Sequence, residues 1–452
     1  MRWTLGLMIL CGAALGCAAL GCGAKPRGSL AAQAALRYAE LPGLRGSANA
    51  QLQAERELLV QEQATPAQLA AAQLGVTEVA YGAEPPLAQL KRAFPVISRN
   101  MLSGQIDAVY PQERLRLGPA ERERAREVLR RQAQARESFR LALPGAGRGF
   151  GLPLDQGLLL DLDFLDPLEI GCRLEILDAA DDLSDHRLDD ATESLEVLLR
   201  ATRALAAEKN VTTRVAAVPL RAEALRLLET VSIYRFVTPA RHDQMLALLQ
   251  VELAHWPSDA DAWIGDRALG LHTYELVRDG NFLSLLDREE ADRLDARGLL
   301  RSTAQAAWKN VDADELFYLQ AMRRMIDSCR LPYYRRVDVL KQIRSDLAAR
   351  EETAEYPLVA ATILLTDFEE VHRQQAEDLA RVQAWQFALS VALKRVSTDT
   401  PPVNPLTGQP FAAASDARRV VVSNILPDQD VSITLRIHRN PSLAEQPEMT
   451  PE

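Results

Sequence analysis

Two Glu-x-x-His motifs are the side chains in this sequence whose types and spacing best suit chemistry. They are Glu252-Leu253-Ala254-His255 and Glu369-Glu370-Val371-His372. A Glu and a His three residues apart project from one side of a helix. Two such motifs, with a Glu from each of two further helices, build a di-iron carboxylate centre, provided all of them face the interior. The helical period speaks against that here. The apolar line of the first motif is Met245, Leu246, Leu249, Leu253 and Trp256, with Glu252 at its edge and His255 off it. Glu369 lies off the Leu364-Phe368-Val371 line. His255 stands in the last turn before Pro257, where a His meets the negative end of the helix dipole. The expectation is solvated helix faces, with a metal centre on Glu252, His255, Glu369 and His372 as the sharper alternative.

A second cluster is acidic. Asp181, Asp182, Asp185, Asp189 and Asp190 gather at one turn. Grouped carboxylates suit calcium, but the glycine and alternating ligand spacing of an EF-hand are missing. Helix caps and solvated acids are therefore expected. No G-x-S-x-G elbow and no H-E-x-x-H motif occurs. Gly145-Ala146-Gly147-Arg148-Gly149 lacks the Lys-Ser/Thr that completes a phosphate loop. No cofactor is expected. The Arg-rich stretch 114–140 is laced with Glu121, Glu123, Glu127 and Glu137, as a salt-bridged exposed helix would be.

The elements that must position these residues read as helices almost throughout. The chain has 452 residues, 47% hydrophobic, 25% charged and 5% aromatic. Few aromatics and many Ala and Leu favour helix over sheet. The formal net charge of −10 argues against nucleic-acid binding. Start signals recur: Thr65-Pro66 with Gln68, Gly118-Pro119, Asp166-Pro167, Thr238-Pro239 and Ser258 with Asp261. Helices are expected from Gly118 to about Leu141, and as a hairpin from Asp166 to Asp182 and on to Asn210. A helix from Val211 to Tyr234 should bend or break at Pro219. The longest should run from Leu358 to about Arg395, its apolar stripe interrupted at Gln375 and Glu377-Asp378. Arg419 to Ile425 and Val431 to His438 read as two strands, the second alternating Val431, Ile433, Leu435 and Ile437 with polar residues. The fold class expected is mainly α: an irregular multi-helix bundle or stacked helical hairpins with a small C-terminal β-hairpin.

At the N-terminus Arg2 precedes an apolar run that ends in Ala19-Leu20-Gly21-Cys22, followed at once by Lys25, Pro26 and Arg27. This order of parts is a secretory leader, and its end resembles the lipobox of bacterial lipoproteins. The resemblance implies lipidation of Cys22 and anchoring in a cell-envelope membrane, with more than one acyl chain for stable attachment. Ala14-Leu15-Gly16-Cys17 is a second copy inside the apolar run. Gly23 after the cysteine resembles the outer-membrane-directed case, with the body facing the periplasm. Cys172 and Cys329 are the thiols left for the mature body. In an oxidising compartment they could pair or stay as buried thiols.

The resulting division is 1–21 leader, 22–28 tether, 29–143 N-terminal helical region and 144–153 linker. Residues 154–400 make the main helical domain, 401–440 a turn-rich segment with the hairpin, and 441–452 a disordered tail. Three stretches, LEIGCRLEILDAADD from Leu168, IGDRALGLHTYELVRDG from Ile264 and NPLTGQPF from Asn404, resemble a group of exported, mostly helical proteins of planctomycete-type bacteria. That group carries no agreed activity, and Asn404 stands where it usually has Asp. The sequence reading is thus a lipid-anchored envelope scaffold or interaction module with a protein or polymer partner. The alternative is an envelope hydrolase or metal-dependent enzyme with an unfamiliar site.

Overall fold

The computed structural model describes residues 49–77, 85–111, 115–145, 147–234, 237–286, 288–351, 353, 356–416, 418–427, 429 and 431–437. The leader with Cys17 and Cys22, the tether and the C-terminal tail lie outside them. Helices α1 to α6 span Ala50–Gln61, Pro66–Thr77, Pro86–Ala93, Val96–Asp107, Pro119–Arg131 and Ala133–Ala142. A hairpin follows, α7 (Leu165–Ser184) and α8 (Leu188–Ala206), then α9 (Val211–Ser232), α10 (Pro239–Ala254) and α11 (Asp259–Arg278). The last helices are α12 (Arg288–Ala296), α13 (Leu300–Lys309), α14 (Val311–Ser328), α15 (Tyr333–Ala348) and α16 (Phe368–Ala392). The chain is mainly α with a small antiparallel sheet at its end. None of the described helices is long and apolar enough to cross a membrane.

The start signals work by side-chain capping. Thr65 Oγ1 accepts from the Gln68 amide at 3.3 Å, and Gln68 Oε1 accepts from the Thr65 amide at 3.1 Å. Thr238 Oγ1 caps the Arg241 amide, and Ser258 Oγ the Ala260 amide. Three expected helices differ. The one from Gly118 breaks at Gln132 into α5 and α6. The break accompanies two separate anchorages on α7: α5 reaches Asp181 through Arg122 and Arg126, and α6 reaches Glu175 through Arg136 and Arg140. By contrast α9 runs through Pro219. Arg214 and Arg221, on either side of the proline, are both fixed by tertiary contacts, and packing overrides the local preference.

The expected helix from Leu358 divides into a π-helical turn, Ala360–Leu364, and α16. Here the Asp314 carboxylate accepts from the amides of Val359 and Ala360 at 2.7 and 2.9 Å, pinning the turn to α14. The segment read as a linker, 144–153, is packed. Phe150 and Leu152 are buried in the core that holds Phe139 and Leu168, and Glu208 accepts from the Gly151 and Leu152 amides. Burial pushes the Glu208 carboxyl up to about 7.

The sheet holds three strands: β1 (Ala412–Ser415), β2 (Arg419–Ser423) and β3 (Ile433–Arg436). In register Val420 faces Leu435 and Val422 faces Ile433, while Ala413 pairs with Val422 on the other edge. The two valines, Ile433 and Leu435 are buried and belong to the large core. The alanine run of β1 has no strand signal of its own. Its pairing with β2 makes it a strand.

Candidate functional site

The buried charges concentrate at helix junctions, and α9 supplies two of the arginines. On its buried face, Arg214, Ala217, Arg221, Ala224, Leu228 and Val231 follow helical spacing, so both guanidinium groups share the apolar stripe. Arg221 is fully buried. Its Nε donates to Glu252 Oε1 of α10 at 2.9 Å, and its Nη1 donates to Asp378 Oδ2 of α16. Arg203 of α8 donates to the other Glu252 oxygen at 3.2 Å. The Trp256 ring lies 4.3 Å from the Arg221 guanidinium carbon, in cation–π contact. Two arginines and two carboxylates thus bind α8, α9, α10 and α16 into a single joint. Burial pushes Asp378 up to about 6, against the opposing pull of Arg221, and the neighbouring Glu252 charge pushes the same way.

A second joint lies at the N-terminal end of α9. Arg214 donates to the carbonyls of Pro257 and Ser258 at 3.1 and 2.9 Å and lies 3.5 Å from Asp259 Oδ1. Arg336 of α15 donates to Asp259 Oδ2 at 2.7 Å. One turn along α11, the Trp263 ring stacks on the His372 imidazole with centroids 4.7 Å apart. His372 is fully buried, and neither of its ring nitrogens has a hydrogen-bond partner among the described residues. Burial and then the Arg336 charge push its pKa down to about 3, which keeps the ring neutral.

These positions correct the sequence reading of the Glu-x-x-His motifs. Glu252 and His372 are wholly buried rather than solvated, whereas His255 is exposed at the end of α10 with its Nδ1 2.9 Å from the Val251 carbonyl. Glu369 pairs with Arg344 at 3.1 Å near the surface. Glu252 is held by arginines, His372 by Trp263 and Glu369 by Arg344, so the four do not share one centre. Among the described residues no group of three or more His, Cys, Asp or Glu is arranged to hold a metal ion.

The acidic turn is also corrected. Its carboxylates answer arginines: Arg122 and Arg126 bind Asp181 at 2.6 and 2.9 Å, Arg187 binds Asp182, and Arg241 binds Asp189. The basic stretch expected to be self-paired and exposed supplies two of these partners. Cys172 and Cys329 are both unpaired, so no disulfide joins them. Cys172 sits in the core around α7, and Cys329 packs against the core formed by α11, α14 and α15. Asn404 is fully buried. Its Nδ2 donates to the carbonyls of Asn424 and Ile425 at 3.0 and 2.9 Å, and its Oδ1 accepts from Leu406 N at 2.9 Å. A carboxylate could not make the first two bonds, which is a physical reason for Asn at this position.

Sequence reasoning missed Arg203, Arg214, Arg221, Asp259, Trp263, Arg336, Gln375 and Asp378 as one system. The signal was present as charged residues in phase with apolar stripes, most visibly Arg214 and Arg221 on α9. One open feature lies at the surface: a cleft of about 200 Å³ between α14 and the end of α15, lined by Phe317, Gln320, Arg324, Asp346 and Arg350. Arg324 pairs with Asp346 at 2.6 Å, and Arg350 lies over the Phe317 ring. The chain matches no protein-family model, no curated protein and no solved structure.

Proposed function

We propose that this chain is a lipid-anchored helical protein of the cell envelope that acts as a scaffold or interaction module for a protein or polymer partner. The observation that carries the reading is the joint at Arg221. Its carboxylates tie α8, α9, α10 and α16 together, as befits a stiff body that presents surfaces. The surface cleft beside Phe317, with Gln320, Arg324, Asp346 and Arg350 on its polar lining, is the contact surface this reading assigns. The leader ending at Cys22 supplies the anchor, and Gly23 directs it to the outer membrane with the body in the periplasm.

The test has two arms. Metabolic labelling with an alkyne fatty acid should mark the protein, Cys22→Ala should abolish the mark and Cys17→Ala should retain it. A photocrosslinker at Gln320 should then capture one specific envelope component from intact cells. An unlabelled wild-type protein overturns the anchor, and an empty crosslink overturns the cleft as the contact surface.

A further inference from the structure

The two arginines of α9 live in opposite electrostatic settings. Arg221 touches two carboxylates, and their charges hold its proton above the ordinary arginine value despite full burial. Arg214 is as deeply buried, yet burial pushes it below that value. Asp259 opposes the shift in part, with Asp261 and Asp378 acting from further off. Asp259 is itself shared with Arg336. In direct contact, therefore, two guanidinium groups answer to one carboxylate.

The same junction collects buried polar atoms that no group among the described residues satisfies. They are Arg214 Nε, Trp263 Nε1, both ring nitrogens of His372, and both Gln375 amide atoms. Arg214 and Arg336 meet on Asp259 and Trp263 stacks on His372, while Trp263 follows Asp259 by one turn of α11 and Gln375 follows His372 by one turn of α16. Buried polar atoms in folded proteins almost always have partners, so such a group marks a place where something else binds.

We propose that the junction of α9, α11, α15 and α16 binds one small monovalent anion of about the size of chloride. The guanidinium Nε–H, the indole N–H and the amide NH2 are all donors, and a neutral imidazole adds one more. A water could satisfy donors, but it brings no charge to offset the second guanidinium, and an unpaired buried charge is the more costly defect. Because these side chains are buried, the ligand sheds its own water, which favours a weakly hydrated single-charge ion over phosphate or sulfate. Gln375 Oε1 and the unprotonated His372 nitrogen suit one bridging water beside it.

The test uses the intact protein. Thermal unfolding is followed at fixed ionic strength while sodium gluconate is replaced by sodium chloride or bromide. The melting temperature should rise with the logarithm of halide concentration once half-saturation is passed, by roughly 2 °C at tenfold above it. Gln375→Leu and Trp263→Phe, each checked for native helicity, should lose the rise. A bromide-soaked crystal should show an anomalous peak within hydrogen-bond reach of Trp263 Nε1 and Arg214 Nε. Superimposable melts in gluconate and chloride, a rise that survives in both folded variants, or a junction without a bromide peak each overturn the proposal. Since the bromide experiment needs only the wild-type chain, a variant that fails to fold leaves the question decidable.

Discussion

Replacing Arg221 by Leu removes the cation shared by Glu252 and Asp378 while nearly preserving apolar volume. Both carboxylates are buried, and Glu252 keeps only the 3.2 Å contact with Arg203. Breaking a buried pair from one side costs about 3–5 kcal/mol, because the surviving charge is stranded. Loss of the Trp256 contact adds about 1 kcal/mol. The expected loss is therefore about 4–6 kcal/mol at pH 8, a large part of the stability of an ordinary domain.

The penalty should depend on pH. The Asp378 carboxyl is raised from its ordinary 3.8 to about 6 in the folded protein. A raised carboxyl stabilises the fold fully below the unfolded value, and that stabilisation is lost as pH rises through the folded value. The wild-type joint should thus weaken between pH 4 and 6. In the variant Asp378 lacks its lowering partner, so its pKa climbs further and the loss extends to higher pH. Urea unfolding followed by far-ultraviolet circular dichroism, at pH 5 and pH 8, measures both terms. The combined replacement of Arg203, Arg221, Glu252 and Asp378 by Met, Met, Leu and Leu should recover most of the loss. A single variant that loses less than about 1 kcal/mol at pH 8, with no difference at pH 5, would refute the reasoning.

Other expectations rest on single contacts. A Cβ at Gly265 would overlap the backbone carbonyl of Lys209, which cannot swing aside. Gly265→Ala should therefore destabilise by about 1–3 kcal/mol in a thermal melt, and an unchanged melt would contradict the close approach of α11. Asn404→Asp exchanges two donations for repulsion between a carboxylate and two carbonyls. It should cost about 2 kcal/mol and speed amide exchange in β2 and β3, whereas Asn404→Ala should show intermediate exchange. The two thiols should behave as separate buried groups. Burial raises both, Cys329 to about 12. Without reductant, Cys172 and Cys329 of the native protein should react slowly with a thiol reagent, and unfolding should release both. Release of neither on unfolding would mean they are paired after all.

Much of the architecture was legible because it depends on neighbours in sequence. Thr65-Pro66-Gln68 and Thr238-Pro239 begin helices where their caps place them, and the valine-rich and alternating runs become β2 and β3. The errors arose where distant residues decide. Pro219, expected to bend or break its helix, does not break it, and Asp314 divides the final helix from a different part of the chain. At the candidate site, periodicity put Glu252 at the edge of an apolar face, which was correct as geometry. Its burial follows from Arg203 and Arg221, on two other helices.

The residue types along the chain determine by themselves that it is helical, with side-chain caps and a short β ending, because capping and periodicity act over a few residues. They also hold the cysteine-terminated apolar run from which anchoring is proposed. Only the tertiary structure decides which charges are buried and with whom they pair. Helix register over tens of residues sets whether Arg221 meets Glu252 or water, and in a low-dielectric interior that difference is several kcal/mol. The Glu-x-x-His motifs show the same division. Their spacing is a local fact, but a common centre required four side chains to converge, and the packing of α10 and α16 sends them to separate partners.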